Sequence, residues 1–115
     1  MKFPSCQIDA YLYNKNMSDL DSVEFAKVLA DETRQQIMKI TCCEWRTVNE
    51  IVAYLNVTQP TVSHHLAILR EAGLVLYKEE GKQTFYTLNR DLVTVCCNRL
   101  VTKFSSSLEQ PDKCC

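Results

Sequence analysis

The sequence predicts a mainly helical domain that carries a β-hairpin, arranged as a winged helix-turn-helix. Two helical patterns joined by a very short turn are the first observation, and two β-rich runs that follow them directly are the second. The third is size, because 115 residues of 46% hydrophobic composition suit a single globular domain. We expect this domain over residues 21–104, with an N-terminal arm over residues 1–20 and a cysteine-ending tail over residues 105–115.

The first half of the domain contains two predicted helices. Residues 22–29 have a helical pattern, and the side chains expected to face inward are Val23, Ala26 and Leu29. Asp31 is a suitable N-cap for the next helix because its carboxylate can accept from unpaired backbone amides. We expect that helix to end at about Thr41.

The helix-turn-helix follows. Thr47 and Glu50 match a capping box, in which each side chain accepts from the other residue's backbone amide. The helix that they begin has one apolar face, made of Val48, Ile51, Val52 and Leu55. Only two residues separate this helix from the next cap, Thr58, and Pro60 falls in the first turn, where a missing N–H is harmless. So tight a connection is typical of a helix-turn-helix.

The remaining elements form the wing and a final helix. Gly73 ends the second helix of the pair, and the runs 74–78 and 84–88 are β-rich, with Gly81 between them free to adopt a positive φ. Residues 91–104 predict the last helix. Its expected inward face is Val93, Cys96, Cys97, Leu100 and Phe104.

The arrangement predicts a DNA-reading surface on the second helix of the pair and on the wing. Glutamine can pair with adenine, and hydroxyl groups reach phosphates or base edges. The candidate contacts are Gln59, Thr61, Ser63 and His64 on the helix, with Lys78 and Lys82 on the wing. The alternative is a capped surface helix with ordinary polar side chains, and the formal net charge of −1 is a mild objection to DNA binding.

Composition disfavours other classes of function. An enzyme is disfavoured by the lack of a Cys-x-x-Cys motif, a glycine-rich phosphate loop or a convincing catalytic dyad in a sequence with two glycines. No apolar run is long enough for a membrane span, and no signal peptide is evident, so we expect a cytoplasmic protein. A protein-interaction module remains open, since winged helices also bind proteins.

The number and spacing of the cysteines in this chain are unusual. Seven cysteines occur, six of them in the adjacent pairs Cys42-Cys43, Cys96-Cys97 and Cys114-Cys115, with Cys6 alone. An odd number argues against a closed disulfide framework, whereas soft ions such as As(III), Sb(III) or Cu(I) favour two or three thiolates. Packing as small apolar side chains is the competing explanation, but packing does not require adjacency.

Three segments carry a resemblance to a known family. They are Ala-Asp-Glu-Thr-Arg at residues 30–34, the stretch at residues 58–75 with its Val-Ser-x-His-Leu-x-x-Leu core, and Glu-Gly-Lys-Gln-Thr-Phe-Tyr at residues 80–86. In these the chain resembles the ArsR/SmtB family of arsenic repressors. The resemblance implies a homodimer through the first and last helices, which binds double-stranded operator DNA and releases it when an inducer binds.

The resemblance also narrows the inducer site. The positions of the family's zinc ligands are occupied here by Arg90, Leu92, Lys103 and Ser106, and Thr47-Val-Asn stands where other members have Cys-x-Cys. Some arsenic sensors of the family have a vicinal pair late in the chain, which implies that As(III) or Sb(III) binds Cys96 and Cys97 here. The third ligand is left open among Cys42, Cys43, Cys114 and Cys115.

A redox mechanism is the alternative. Some members sense persulfide or oxidants with one cysteine in the second helix and one in the last. Cys42 or Cys43 with Cys96 or Cys97 loosely resembles that pattern, although the positions are shifted.

Overall fold

The computed structural model describes residues 20–105, so the expected N-terminal arm up to residue 19 and the tail beyond residue 105 lie outside it. Within these described residues, five helices and three short strands follow one another. In order they are α1 (Ser22–Leu29), α2 (Glu32–Ile40), β1 (Arg46–Thr47), α3 (Val48–Leu55), α4 (Gln59–Glu71), β2 (Val75–Glu80), β3 (Gln83–Leu88) and α5 (Arg90–Ser105). This is the predicted winged helix-turn-helix. No helix within the described range is long and apolar enough to span a membrane.

Side-chain caps begin the helices, largely as the sequence predicts. Asp31 accepts from the backbone N–H of Arg34 over 3.1 Å at the start of α2. At α3 both halves of the capping box are present, with Glu50 N–H donating to Thr47 Oγ1 over 3.2 Å and Thr47 N–H donating to Glu50 Oε1 over 3.1 Å. These bonds satisfy amides that a helix start leaves unpaired, and they fix where each helix begins.

The turn between α3 and α4 is as short as the sequence predicts. Asn56 caps α3 in the left-handed region with φ 59°, a conformation that asparagine tolerates better than most residues. Thr58 then caps α4, and Pro60 occupies its first turn. At the other end of α4, Gly73 has φ 80° and its N–H donates to the carbonyl of Arg70 over 2.9 Å, which confirms the predicted stop.

The wing is a three-stranded antiparallel sheet in the order β1-β3-β2. Glu80 pairs with Gln83, so Gly81 and Lys82 form a two-residue turn with Gly81 at φ 65°. A positive φ at the first of two turn residues matches the right-handed twist of a hairpin. Strand β1 was not predicted, because two residues give no readable alternation in the sequence. Pairing of Arg46 with Tyr86 creates the strand.

The core lies where α1, α2, α3, α4 and the start of α5 meet the base of the sheet. Its large and fully buried aliphatic and aromatic side chains include Phe25, Ile37, Ile51, Val62, Leu66, Leu69 and Leu74. The buried face of α4 consists of Val62, Leu66 and Leu69. On α3 Ile51 is buried, while Val48, Val52 and Leu55 are half-buried and pack on the core.

The predicted inward faces of α1 and α5 are partly wrong. In α1 the buried residues are Ser22, Phe25 and Val28, whereas Val23 is 54% exposed and Ala26 is exposed. Phe25 is the largest apolar side chain of α1, and its burial sets the rotation of the helix. Of the inward side chains expected on α1, only Leu29 packs against the core.

In α5 the buried residues are Leu92 and Cys96. Val93 and Leu100 are half-buried, but Cys97 is exposed and Phe104 is 74% exposed. Neighbouring helical residues point about 100° apart, so Cys96 and Cys97 do not share a face. Phe104 lies near the end of α5, and in a single chain its side chain does not pack into the core as predicted.

Candidate functional site

The N-terminal half of α4 presents polar side chains to solvent. Gln59, Ser63 and His64 are exposed, as the sequence analysis expects of contacts to a ligand outside the domain. Thr61 is half-buried instead, and its hydroxyl lies 2.8 Å from that of Thr58. Thr61 therefore contributes to the cap of α4 as well as to its surface.

His65, next to His64, faces the protein. The guanidinium of Arg34 on α2 lies 3.3 Å from Nδ1 of His65 through Nη1. Because a guanidinium only donates, Nδ1 must accept, and the imidazole carries its proton on Nε2. Burial lowers the pKa of His65; Asp31 opposes that shift, and Arg34 adds to it. His65 thus holds α4 against α2 rather than facing outward with His64.

The two wing lysines have different surroundings. The ammonium group of Lys78 lies 4.5 Å from the centroid of the Trp45 ring and 3.3 Å from a carboxylate oxygen of Glu80. Lys82 is exposed at the tip of the hairpin. The wing therefore carries two lysines: Lys78 contacts an aromatic ring and a carboxylate, and Lys82 is exposed at the tip.

Arg70 connects α4 with the wing. Its guanidinium carbon lies 4.0 Å from the centroid of the Tyr77 ring on β2, and the rings of Tyr77 and Tyr86 are 6.4 Å apart. Stacking of this kind keeps a guanidinium ordered while its charge stays at the surface. Arg70 is exposed at the end of α4, and this contact is one that the sequence did not reveal.

Cys96 and Cys97, the pair predicted as metal ligands, are separated by the geometry of α5. Cys96 is fully buried, and burial raises the pKa of its thiol, with Arg99 opposing the shift. Cys97 is exposed. A regular helix does not bring the two sulfurs together, so both could bond one ion only after local distortion of α5.

Cys42 and Cys43 are brought together. They lie in the turn between α2 and β1, where Cys43 adopts φ 65°, and their Sγ atoms are 3.7 Å apart. Nη1 of Arg90, the first residue of α5, donates to Sγ of Cys43 over 2.8 Å. Burial, followed by the hydrogen bond with Cys43, raises the pKa of Cys42, and Arg90 opposes this. The role of Arg90 was missed, because only the fold joins two positions so distant in sequence.

The described cysteines are all thiols. Within residues 20–105, no three cysteine, histidine, aspartate or glutamate side chains are grouped so that they could hold a metal ion. The remaining candidates for a third ligand, Cys114 and Cys115, lie outside the described residues, as does Cys6.

Comparison with known proteins agrees with this architecture. Residues 31–77 match the model of the bacterial regulatory proteins of the arsR family. The arsenical resistance operon repressor of Escherichia coli is 39% identical over 74 residues, which cover 64% of this chain and 63% of that protein. The transcriptional repressor SdpR of Bacillus subtilis is 32% identical over 63 residues, covering 55% of this chain and 70% of that protein.

A solved structure extends the likeness to the whole domain. The homodimeric winged helix-turn-helix DNA-binding domain of Mb0332 from Mycobacterium bovis superposes with a TM-score of 0.60 at 26% sequence identity. The match covers 80% of this chain and 87% of that one. The α4 helix, the wing and these similarities lead to one conclusion: the chain belongs to the arsR family of DNA-binding transcriptional regulators, which are not enzymes.

Proposed function

We propose that this protein is a homodimeric repressor that binds double-stranded operator DNA and releases it when a trivalent arsenical or antimonial binds its cysteine thiolates. The observation that carries the proposal is the row of exposed polar side chains on α4 beside the wing. Gln59, Ser63 and His64 would contact base edges in the major groove. Thr61, at the first turn of α4, would direct a backbone phosphate toward unpaired helix amides.

The wing would add backbone contacts on one side of α4. Lys82 at the hairpin tip would contact a phosphate. Lys78 would provide a second positive charge, but its contacts with Trp45 and Glu80 restrict how far its ammonium group can extend toward DNA. A formal net charge of −1 keeps non-specific affinity low, since that affinity depends on phosphate contacts. Low background affinity suits a repressor that must leave its site.

Dimerisation would use α1 and α5. Val23, Val101 and Phe104 are large apolar side chains exposed on these two helices. The start of α1 is also tied to α5, because Lys103 Nζ donates to Ser22 Oγ over 2.7 Å and Arg99 donates over 2.8 Å to the carbonyl of Leu20, just before α1. An exposed apolar surface of this kind is typical of an interface, and the solved Mb0332 domain is a homodimer.

The inducer would be As(III) or Sb(III), and Cys96 with Cys97 is the pair that we propose to bind it. A soft ion that bonded both sulfurs would distort a turn of α5, the helix that also carries Val101 and Phe104. Such a distortion at the dimer interface would alter the spacing of the two α4 helices and shift the population away from the DNA-binding form. The name of the Escherichia coli relative supports the choice of inducer.

Fluorescence anisotropy of the reduced protein on labelled DNA from its own upstream region tests the proposal. Arsenite and antimonite are titrated in, with zinc and persulfide as separate controls, on the wild type and on Cys96→Ala and Cys97→Ser variants. We expect tight binding without inducer, release by arsenite or antimonite, and loss of that response in both variants.

Each failure has a distinct meaning. Failure to bind upstream DNA before any inducer is added would remove the repressor function. Release by persulfide alone would replace the metalloid with a redox signal. An unchanged arsenite response in both variants would move the inducer site away from α5.

A further inference from the structure

The turn between α2 and β1 contains two thiols that the protein holds together before any ligand arrives. In a regular helix adjacent side chains diverge by about 100°. Cys42 and Cys43 escape this divergence because the chain leaves α2 at Thr41 and Cys43 takes the left-handed conformation. Their sulfurs are 3.7 Å apart, so both can bond one atom without rearrangement of a helix.

The sulfur separation has the size that a soft central atom requires. An atom about 2.3 Å from each sulfur, the usual length of a zinc–thiolate bond, would subtend about 107° across the 3.7 Å separation. That angle is close to tetrahedral and suits a pyramidal or tetrahedral centre. Pyramidal As(III) forms three bonds, and two thiolates leave one of them for another substituent.

The surroundings of the pair suit an organic group in that third position. Cys42 and Cys43 line an open cleft of about 700 Å³, within the range of pockets that bind small molecules. Its walls include the apolar surfaces of Ile40, Tyr54 and Leu55. The guanidinium of Arg46 lies 4.6 Å from the Tyr54 ring centroid and donates through Nε to the carbonyl of Ile40 over 3.1 Å, so Arg46 links two residues of this wall.

The same surroundings disfavour an ion that needs three protein ligands. Within the described part of the chain, no third cysteine, histidine or carboxylate is grouped with the pair as a metal ligand would be. Glu44, which also lines the cleft, is paired with Arg46 over 2.8 Å. A ligand that brings its own third bond is therefore a better match than a bare metalloid ion.

We propose that Cys42 and Cys43 form a second, preformed dithiol site that binds a trivalent arsenical carrying one organic substituent. This inference goes beyond the proposed function, because it concerns a different cysteine pair and a ligand that carries an organic group. In the binding step two As–OH bonds break and two As–S bonds form. The two thiol protons leave with the hydroxides as two water molecules, and no atom changes oxidation state.

The chemistry is compatible with the state of the thiols. The step starts from neutral thiols, and their protons leave in the two water molecules. The raised pKa of Cys42 favours its neutral thiol form and is therefore compatible with this step. The contact with Arg90 places a positive charge beside Cys43, which is the kind of neighbour that favours thiolate attack. Neither sulfur is fully buried, so the reagent can reach both from the cleft.

Phenylarsine oxide is the probe, and the test uses the full-length reduced chain. One variant keeps only the pair in question. In it the other five cysteines are replaced: Cys6→Ser, Cys96→Ala, Cys97→Ser, Cys114→Ser and Cys115→Ser. Two matched controls add Cys42→Ser or Cys43→Ser to that background and so keep a single thiol.

We expect the variant with the pair to take up one phenylarsenic group per chain, with loss of two titratable thiols. Its affinity should exceed that of either single-thiol control by at least about 100-fold, because the second bond forms within the molecule. Arsenite should bind the same variant at least about tenfold more weakly, since its third bond finds no thiolate there. Equal affinities for the pair and for the single thiols would overturn the proposal.

A second measurement uses the wild type and does not depend on the folding of the substituted chain. Cleavage with trypsin after Lys39, Arg46, Arg90, Arg99 and Lys113 separates the three cysteine pairs into the peptides 40–46, 91–99 and 114–115. With less than one equivalent of phenylarsine oxide, we expect the adduct on peptide 40–46. An adduct found only on the other two peptides would contradict the proposal. So would peptide 40–46 without an adduct, changed only by the loss of two hydrogens on disulfide formation.

Discussion

The guanidinium of Arg34 donates to Nδ1 of His65 over 3.3 Å and so joins α2 to the helix proposed to read DNA. Nε of the same guanidinium donates to the carbonyl of Val28 over 2.8 Å, at the end of α1. One arginine therefore connects three helices. The contact requires His65 to be neutral at Nδ1, because a doubly protonated imidazole has no acceptor.

This requirement predicts a pH dependence of stability. The pKa of His65 is lowered by burial in the folded state, whereas the unfolded chain keeps a value of about 6.5. As the pH falls below about 6.5, the unfolded state gains a proton that the folded state does not take up, and the free energy of unfolding decreases. Urea unfolding at pH 7.5 and pH 5.5 should show this loss, and His65→Gln should reduce it.

Ser63→Ala serves as the control for that experiment, because Ser63 is exposed on the same helix and does not titrate. It should keep the wild-type difference between the two pH values. An equal loss of stability in the wild type and in His65→Gln would assign the pH dependence to other groups.

Loss of a proposed base contact should weaken operator binding. A good side-chain pairing with a base contributes about 1–3 kcal/mol, so Gln59→Ala or Ser63→Ala should raise the operator Kd by about 5- to 150-fold. Anisotropy titrations measure this, with arsenical affinity expected to stay unchanged. Gln36→Ala is a matched control, since Gln36 is also an exposed glutamine, on α2. Wild-type affinity in the Gln59 and Ser63 variants would place the DNA elsewhere.

The exposed lysine at the wing tip should determine part of the salt dependence. If Lys82 meets one phosphate, Lys82→Gln should reduce the slope of log K against log salt concentration by about one. Lys27→Gln removes the same charge from the exposed surface of α1 and should leave the slope unchanged. An unaltered slope in Lys82→Gln would show that the wing tip does not contact the backbone.

The exposed apolar side chains of α5 should stabilise the dimer. Burial of one phenylalanine contributes about 1.5–3 kcal/mol, and an interface with twofold symmetry buries two copies. Phe104→Asp should therefore raise the dimer dissociation constant by well over tenfold in sedimentation equilibrium. Thr102→Asp, on a neighbouring exposed position of α5, tests the effect of added charge alone. Equal dissociation constants for both variants would remove Phe104 from the interface.

The sequence predicted those parts of the fold that depend on local chemistry. The caps at Asp31, Thr47 and Thr58, the helix stop at Gly73 and the hairpin turn at Gly81 each depend on a few adjacent residues, and all five are confirmed. Helix rotation was harder to predict. In α1 it is set by which side chain fills the core, and the predicted face of Val23, Ala26 and Leu29 lies one position after the buried face of Ser22, Phe25 and Val28.

Contacts between distant residues lay beyond the sequence. Strand β1 exists because Arg46 and Thr47 pair with β3, and Lys78 is held by a tryptophan far from it in the chain. The sequence drew attention to three cysteine pairs, and only the family resemblance favoured Cys96 and Cys97 among them. The distances between the sulfurs come from the backbone, which holds Cys42 and Cys43 together and sends Cys96 and Cys97 in different directions.

The left-handed backbone at Cys43 lowers the stability of the domain while it brings two thiols together. Glycine adopts a φ of 65° without steric penalty, while a residue with a Cβ is held there at an expense of about 1 kcal/mol. Glycine at residue 43 would therefore make the domain slightly more stable. With cysteine there, the domain loses a small part of its marginal stability and holds two sulfurs adjacent.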